Sequence, residues 1–237
     1  MEMKEWHKLL AAGLVVVALA VALGLSVVGG QASLANGTTI YVDADASGLN
    51  NGTSWEHAYT DLQEGLDAPG AEEIWVAAGT YTPTAKVGGT DERNRSFQLK
   101  NGVALYGGFD PTVGHVAWED RDWVANETIL SGDIGTGGDA TDNSYHVFYH
   151  PSGTNLDSTA ILDGFTVSGG NANGGSIHDY GGGMYNDGSS PALTNCTFSG
   201  NSATYSGGMY NYGSSPALTH CTFAGNSASG GGGGMSN

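Results

Sequence analysis

Three aspartates lie close together in a flexible stretch of the sequence, where they could bind a metal ion. Asp133, Asp139 and Asp142 fall within residues 131–143, a segment rich in glycine and threonine. Carboxylates in a flexible loop suit Ca²⁺, which takes about six to eight oxygen ligands in variable geometry. Their spacing does not match an EF-hand loop, and solvated acidic turns are common in so acidic a chain. We name these three residues as candidate calcium ligands, with a solvated turn as the alternative, and expect no other cofactor.

Acidic residues that could form a catalytic pair are sparse in the C-terminal third. From residue 157 onward they are Asp157, Asp163, Asp179 and Asp187. An inverting glycosidase needs two carboxyl groups about 6.5–9.5 Å apart. Asp187 falls in a predicted turn where the next repeat has Tyr212, and His178-Asp179 lies in an insertion that the next repeat lacks. A turn and an exposed loop explain these residues, and we predict no catalytic residue.

Cationic side chains are absent from the sequence after Arg121. A lyase that acts on uronates needs a base beside a substrate carboxylate that cations neutralise, and the repeats supply no such cation. The net charge of −17 also argues against nucleic acid and anionic membrane surfaces as partners. The residues therefore favour a non-catalytic protein. A carbohydrate-active enzyme, either a polysaccharide lyase or a glycoside hydrolase, is the alternative.

Aromatic residues give the sequence a second kind of binding chemistry, because their rings can stack on sugars. One set comprises Trp118, Trp123, Tyr145, Phe148 and Tyr149. Aromatic residues in strands are more often buried, so we expect this set to belong to the core. Tyr185, Tyr210 and Tyr212 are instead expected to line an outer face.

The two cysteines, Cys196 and Cys221, occupy equivalent positions in two repeats. Stacked neighbours would have Cα atoms about 4.8 Å apart, inside the range that a disulfide accepts. Parallel side chains in register orient poorly for the bond, and cysteine also buries well as a small apolar residue. We favour two stacked interior thiols over a disulfide.

A 25-residue repeat from Gly181 to Asn237 must position these side chains. The same segment is written twice and begun a third time, with Pro191 and Pro216 at equivalent places. A fixed period of this length is typical of a solenoid, in which each repeat is one structural turn. The unit is too rich in glycine, serine and asparagine for paired helices, so we predict coils of short strands.

Each coil is predicted to have three sides, with a bend at Thr194-Asn195. Residues stack on their counterparts one turn away, at about 4.8 Å. Leu193, Cys196 and Phe198 should therefore point inward and rest on Leu218, Cys221 and Phe223. Stacked asparagines should form hydrogen-bonded ladders at two corners, Asn186 on Asn211 and Asn201 on Asn226.

Two short motifs recur in register within these repeats. Gly-Gly-Met-Tyr occupies 182–185 and 207–210, and Phe-x-x-Asn occupies 198–201 and 223–226. The pair resembles the Gly-Gly-x-x and Phe-x-x-Asn motifs of polymorphic outer membrane protein repeats, found in secreted right-handed parallel β-helix proteins of the pectin-lyase-like fold class. The resemblance implies an adhesin-like protein of the bacterial cell outer membrane or exterior. Met and Tyr replace the usual Ala and Ile, so a specific adhesin role is not carried over.

Less regular segments precede the clean repeats. Trp55, Ala58, Leu62 and Leu66 follow Ser54 at helical spacing, which predicts a short capping helix over 55–67. The helix would cover the open end of the coils. We divide the chain into an N-terminal strand and capping helix (36–73), irregular β-helix coils with long loops (74–180) and regular repeat coils (181–237). The fold class is all-β, a right-handed parallel β-helix with about 25 residues per coil.

The N-terminus carries an export signal. Residues 1–8 are polar, residues 9–28 are largely apolar, and Ser33-Leu34-Ala35 offers small residues at a cleavage site. We expect a signal peptide over 1–35 that is cleaved after Ala35. The alternative is an uncleaved segment that spans a membrane, because the apolar run is longer than in most signal peptides. The protein is expected to be exported, and to be extracellular or on the outer cell surface. A glycan or a neighbouring or host cell surface is the expected partner.

The sequence ends within a coil, because Gly234 to Asn237 matches residues 183–186. We expect either a fragment of a longer protein or an open edge that pairs with a partner. Any membrane attachment would then use an anchor outside this chain.

Overall fold

The computed structural model describes residues 38–237, which form eighteen short strands, one α-helix and four short 3-10 helices, Glu92–Asn94, Pro111–Val113, Trp118–Asp120 and Ser176–Asp179. The helix, α1, spans Leu62–Asp67. The strands are β1 (Thr38–Val42), β2 (Ala71–Ala77), β3 (Gly79–Tyr81), β4 (Ala104–Phe109), β5 (Thr128–Ser131), β6 (Phe148–His150), β7 (Ile161–Asp163), β8 (Thr166–Ser168), β9 (Asn171–Ala172), β10 (Met184–Asp187), β11 (Ala192–Thr194), β12 (Thr197–Ser199), β13 (Ser202–Ala203), β14 (Met209–Tyr212), β15 (Ala217–Thr219), β16 (Thr222–Ala224), β17 (Ser227–Ala228) and β18 (Met235–Ser236). Within this part of the chain, no helix is both long and apolar enough to cross a bilayer. The expected signal peptide, residues 1–35, lies outside the described residues.

The strands build four sheets. Their orders are β1-β2-β4-β7-β11-β15, β3-β5-β8-β12-β16, β6-β10-β14-β18 and β9-β13-β17. Neighbouring strands in these sheets are parallel throughout. Successive coils therefore stack strand upon strand, and the predicted all-β solenoid is confirmed as a parallel β-helix.

The 25-residue period sets the register of the last coils. Like pairs with like: Met184 with Met209, Tyr185 with Tyr210, Leu193 with Leu218, and Phe198 with Phe223. Leu193, Cys196 and Phe198 are buried in the interior, as predicted. The rings of Phe198 and Phe223 stack with centroids 4.9 Å apart and planes inclined by 10°. The counterparts Leu218, Cys221 and Phe223 are partly buried against this core.

The bend predicted at Thr194-Asn195 is present and recurs in each coil. Asn195 has φ 52°, and its counterpart His220 has the same value. Gly164 occupies the equivalent corner one coil earlier, with φ 81°. A left-handed residue is thus required where the chain passes from β7 to β8, β11 to β12 and β15 to β16, and asparagine and glycine tolerate that backbone best.

Close packing explains why the two motifs occur together. A Cβ atom on Gly183 would lie 2.9 Å from Cδ1 of Phe198 and 3.0 Å from Nδ2 of Asn201. It would also lie 2.5 Å from the carbonyl oxygen of Gly208 in the next coil. The glycine of the first motif therefore packs on the Phe and Asn of the second, and no larger residue fits between them.

Both predicted asparagine ladders are confirmed. The amide of Asn186 donates to Oδ1 of Asn211 at 2.9 Å, and that of Asn201 donates to Oδ1 of Asn226 at 3.0 Å. The first ladder begins with a histidine, since the pair of His150 Nδ1 and Asn186 Oδ1 is separated by 2.7 Å. Buried amides are thus satisfied along the stack.

The regular coils contain a fourth short strand that was not predicted from the sequence, where each coil was expected to have three sides. Two-residue strands follow a corner that contains glycine in each of these coils, and they form the sheet β9-β13-β17. Ser202 pairs with Ser227 and Ala203 with Ala228. Two residues are too few to show the alternation of polar and apolar residues that marks a strand.

The capping helix begins later than predicted. Residues 55–60 are not helical, because the backbone of Tyr59 pairs with β1: its N–H donates to Tyr41 and its carbonyl accepts from Asp43. Asp61, not Ser54, is the N-cap, and its carboxylate accepts from the Gln63 N–H at 2.8 Å. Leu62 and Leu66 are nonetheless buried with the residues of β1 and β2, so the helix covers apolar side chains of the first strands.

Two segments of the irregular coils are not continuous strands. Residues 96–99 form no strand, since Phe97 makes one isolated bridge to Phe148 and the N–H of Leu99 donates to Nε2 of His150 rather than to a backbone carbonyl. Residues 160–167 contain two strands, β7 and β8, because Gly164 turns the chain between them.

Candidate functional site

Three tyrosines occupy one register position on neighbouring strands. In the strand register, Tyr185 of β10 pairs with Tyr149 of β6 on one side and with Tyr210 of β14 on the other. The residues on either side of each, such as Met184 and Asn186, are fully buried, so alternation along the strand turns the tyrosine rings outward. Ring centroids lie 5.5 Å apart between the first two and 5.6 Å apart between the last two. We call this row the tyrosine ladder.

Further tyrosines widen the ladder into a groove. The ring of Tyr180 lies 4.6 Å from that of Tyr210 and 5.0 Å from that of Tyr205. The resulting tyrosine groove has a volume of about 440 Å³ and is lined by Ser176, Ile177, Tyr180, Tyr185, Asp187, Tyr210 and Tyr212. Tyr185 lies at the floor and is 5% exposed, whereas Tyr212 at the rim is 61% exposed. The expected outer-face position is therefore confirmed for Tyr210 and Tyr212, whereas Tyr185 lines the groove but is nearly buried.

The groove is neutral except for one carboxylate. Burial, followed by the nearby Asp187 carboxylate, raises the pKa of Tyr185 to about 12. Burial likewise raises the pKa of Tyr149 and Tyr210. These phenols therefore keep their protons near neutral pH and can donate hydrogen bonds. Asp187 is the single acidic residue lining the groove among the residues that the structure describes.

Two histidines lie behind the ladder. Nδ1 of His146 is 3.0 Å from the Gly181 carbonyl, which can only accept, so Nδ1 carries the proton. Nε2 of His146 then accepts from Nδ1–H of His178 at 3.1 Å. Burial lowers the pKa of His146 to about 3 and also lowers that of His178. Both rings are thus neutral, and His146 stacks on Tyr149 with centroids 5.0 Å apart.

Asp179, the neighbour of His178, does not form a catalytic dyad with it. Oδ1 of Asp179 accepts from the N–H of Gly175 at 3.0 Å and from the hydroxyl of Thr204 at 2.9 Å. These bonds fasten the insertion to the next coil. The carboxylate thus holds the wall that carries Ser176 and Tyr180, consistent with the loop role expected from the sequence.

A buried ion pair lies on a different face of the coils. Arg121 donates to the side chain of Asp163 at 2.8 Å, and the two side chains are 4% and 15% exposed. The guanidinium also donates to the carbonyls of Gly107 and Asp163, while Asn195 donates to the Asp163 carboxylate. The sequence did not place an arginine against the coils. Because this guanidinium is enclosed, it fixes the long connection between β4 and β5, residues 110–127, rather than presenting a charge to a ligand.

The aromatic residues that were expected to lie in the core differ in burial. Phe148 belongs to the core as expected, and Tyr149 is buried within the ladder. Trp118 and Trp123 are 46% and 39% exposed and flank the Arg121 guanidinium, so the expectation that they are core residues is wrong. Tyr145 stacks on His178, with centroids 4.5 Å apart. Trp118, Trp123 and Tyr145 all lie outside the strands, so the preference of strand residues for the core does not apply to them.

The three candidate calcium ligands lie in one loop but not in equivalent surroundings. Oδ2 of Asp133 accepts from the Gly138 N–H, and Oδ2 of Asp142 accepts from the Thr136 N–H. Asp139 is exposed, and its Oδ1 accepts from both the N–H and the hydroxyl of Thr141. Within residues 38–237, no group of three or more His, Cys, Asp or Glu side chains could hold a metal ion.

Both cysteines are free thiols. Cys196 is buried and Cys221 is half-buried, in agreement with the stacked thiols that we favoured. Burial raises the pKa of Cys196, and the thiol of Cys196 lowers that of Cys221.

Sequence reasoning missed two residues of this site, Tyr180 and Tyr205. They lie 25 residues apart and form a parallel bridge, so they follow the same period as the core residues. The 25-residue period could have identified both tyrosines, but Tyr180 lies at the end of an insertion, which obscures its equivalence to Tyr205.

Comparison of this protein with protein-family models, curated proteins and solved structures finds no match.

Proposed function

We propose that this chain is an exported, non-catalytic β-helix protein of the outer cell surface or extracellular space that contacts neutral glycans through its tyrosine groove. The observation that carries this proposal is the row of tyrosines, repeated from coil to coil at 5.5 and 5.6 Å, with further tyrosines at its rim. A ligand with a repeating unit would meet the same surface at each coil.

The chemistry of the groove suits sugar rings. Tyrosine combines an apolar ring, which packs on the C–H face of a pyranose, with a hydroxyl that hydrogen-bonds to sugar hydroxyls. Ligand sites typically combine apolar walls with a few polar groups that fix orientation. Tyr210 and Tyr212 supply the accessible ring surface, while the protonated hydroxyl of Tyr185 and the carboxylate of Asp187 supply polar contacts at the floor.

Electrostatics favour a neutral glycan over an acidic one. The chain has a net charge of −17, with no Lys or Arg after Arg121, and the groove contains Asp187. A polyuronate would be repelled by this field. Arg121 cannot offset the repulsion, since it is enclosed with Asp163 on another face.

Binding without catalysis is favoured by the carboxylates. Hydrolysis of a glycosidic bond requires two carboxyl groups, whereas Asp187 lines the groove by itself among the described residues. Asp163 and Asp179 are committed to structural hydrogen bonds. A polysaccharide lyase or glycoside hydrolase is the alternative, and the experiment below distinguishes it.

Export and surface location belong to this proposal as well. The apolar N-terminal segment with its small-residue cleavage site supports export. The paired Gly-Gly-x-x and Phe-x-x-Asn motifs resemble polymorphic outer membrane protein repeats and support a place at the bacterial surface, where a glycan or another cell would be the partner.

Retention on immobilised neutral polysaccharides tests the proposal. We expect the protein to be retained by at least one neutral glucan, xylan or mannan and not by polygalacturonate. Replacing Tyr212 by Ala should weaken binding by roughly fivefold, corresponding to about 1 kcal/mol for one aromatic contact. Trp123→Ala, which removes a partly exposed aromatic ring from another face, is the matched control and should leave retention unchanged.

Product analysis in the same samples separates binding from catalysis. Release of shorter sugars that stops in Asp187→Asn would replace the binding proposal by the enzymatic one. Retention that is equal in the native protein and in Tyr212→Ala and Tyr210→Ala would contradict the assigned groove.

A further inference from the structure

The loop between β5 and Tyr145, residues 132–144, is closed at its base. The N–H of Ser144 donates to the carbonyl of Gly132 at 2.8 Å, and the N–H of Gly132 donates to the backbone carbonyl of Ser168 at 2.8 Å. The two ends of the loop are therefore held together and fastened to the neighbouring coil. Residues near either end, Asp133 on one side and Asp142 and Asn143 on the other, are brought close to this base.

Several oxygens of this base are buried and lack hydrogen-bond partners. Within the described part of the chain, no donor reaches Oδ1 of Asp133, Oδ1 of Asp142, Oδ1 of Asn143 or the hydroxyl of Ser144. The Asn143 residue is 7% exposed and Ser144 is fully buried. Buried oxygens without a partner are uncommon in folded proteins, because losing water without a replacement costs free energy.

Contacts place the Asn143 amide beside Asp133. Nδ2 of Asn143 donates to the carbonyl of Gly169 at 2.7 Å. Gly169 in turn lies against Asp133, since a Cβ on this glycine would be 3.3 Å from the Asp133 nitrogen. The Asn143 amide therefore lies in the same part of the loop base as Asp133.

The nearest cation does not neutralise these carboxylates. Arg93 donates through Nε to the carbonyl of Asn143 at 2.6 Å and through Nη2 to Asn171 and Asn173. Within residues 38–237, Arg93 forms no ion pair with a carboxylate of this loop. Arg93 thus braces the loop from outside, and two negative charges at the base stay without a counter-ion.

We propose that Asp133, Asp142 and Asn143 bind one Ca²⁺ ion through their Oδ1 atoms. Carboxylate and amide oxygens are ligands that Ca²⁺ prefers, and a glycine-rich loop can supply its variable geometry, with water and backbone carbonyls completing the shell. Mg²⁺ demands a stricter octahedron and keeps its water. With two carboxylates, the expected Kd is on the order of 10⁻⁴–10⁻³ M, the range of extracellular modules.

The proposed ligand set differs from the one predicted from the sequence. Asn143 belongs to the proposed set and Asp139 does not, because Asp139 is exposed and its Oδ1 is already hydrogen-bonded within its own turn. The amide oxygen of Asn143 also explains why no group of three acidic, His or Cys side chains occurs there in the described residues.

Calorimetric titration of the protein with CaCl2, combined with thermal unfolding, tests this site. We expect saturable Ca²⁺ binding, a higher Tm in CaCl2 and a smaller effect of MgCl2. At a Ca²⁺ concentration of about 100 Kd, the ratio of folded to unfolded protein should increase about 100-fold. Asp142→Asn and Asp133→Asn, which keep the shape of the side chain, should each weaken binding about tenfold or more, since affinity follows the number of ligand charges.

Asp139→Asn is the matched control, because it removes one charge from the same loop without touching a proposed ligand. Its affinity should stay within about twofold of the native protein. The absence of both binding heat and a Tm shift at millimolar Ca²⁺ would overturn the proposal. So would an equal loss of affinity in Asp139→Asn and Asp142→Asn, which would indicate general charge attraction rather than a site.

Discussion

Phe198 shows how one side chain depends on the coils on either side of it. Its ring is fully buried and stacks on Phe223, which is half-buried. Replacing Phe198 by Ala should lower the free energy of unfolding by about 3–5 kcal/mol, because a large cavity forms in the core. Phe223→Ala should cost clearly less. Denaturant unfolding of both variants measures this difference, and equal losses would place the two rings in equivalent environments.

The two thiols should differ in reactivity. Cys196 is 1% exposed and its pKa is raised by burial, whereas Cys221 is half-buried and its pKa is lowered by the Cys196 thiol. The thiolate is the reactive species, so Cys221 should react with iodoacetamide near neutral pH while Cys196 stays protected. Peptide mapping by mass spectrometry would show this. Faster labelling of Cys196, or a recovered disulfide, would contradict the stacked free thiols.

At this scale, the sequence predicted the interior better than the surface. The period predicted that Leu193, Cys196 and Phe198 stack inside, because every coil repeats the same inward positions. It did not reveal the enclosure of Arg121 or the hydrogen bond from Asn143 to Gly169, since both depend on loops that reach a neighbouring coil. Contacts of that kind follow no local spacing.

The asparagine ladder at the inner corner is the element that joins four coils. Oδ1 of Asn186 accepts from His150, and its amide donates to Asn211, whose own amide donates to Asn237. Asn186 is fully buried. Asn186→Ala should destabilise the protein by about 1–3 kcal/mol, because it leaves buried groups of both neighbours unpaired.

Thr197→Ala is the control for this variant, since Thr197 lies on an adjoining strand of the same coil and is partly exposed. Its effect should be within about 0.5–1 kcal/mol, the range of less buried positions. Thermal or denaturant unfolding would measure both. A loss in Asn186→Ala no larger than in Thr197→Ala would show that the ladder contributes little to stability.

Strands of the regular coils were easier to predict than the segments before them. Met184 to Ser199 repeats with its counterparts at fixed corners, so the strands follow from the period. The helix was predicted seven residues too early, because the apolar spacing of Trp55 and Ala58 resembles a helix although Tyr59 pairs with β1. Backbone pairing with a distant strand overrides local spacing there.

Acid should destabilise the whole β-helix through its buried histidines. Burial lowers the pKa of His146 to about 3 and that of His150 to about 4. The unfolded chain, with an ordinary pKa of about 6.5, binds these protons more readily, so stability is lost as the pH falls below about 6.5. Each histidine should lower the free energy of unfolding by about 1.4 kcal/mol per pH unit down to its folded pKa.

Denaturant unfolding at several pH values measures that slope, and NMR assigns it. The imidazole signals of His146 and His150 should stay those of neutral rings in the folded protein at about pH 5. Titration of either ring near its ordinary pKa would show that it is accessible to water, in contradiction to its burial.

The tyrosine groove is expected to bind neutral glycans along the axis of the coils, and calorimetric titration with neutral oligosaccharides of increasing length measures this binding most directly. We expect affinity to rise with length until the ligand spans the ladder. In Tyr210→Ala and Tyr212→Ala, affinity should fall and depend less on length, while Trp123→Ala should behave as the native protein. Length-independent binding, or binding equal in all three variants, would contradict the account.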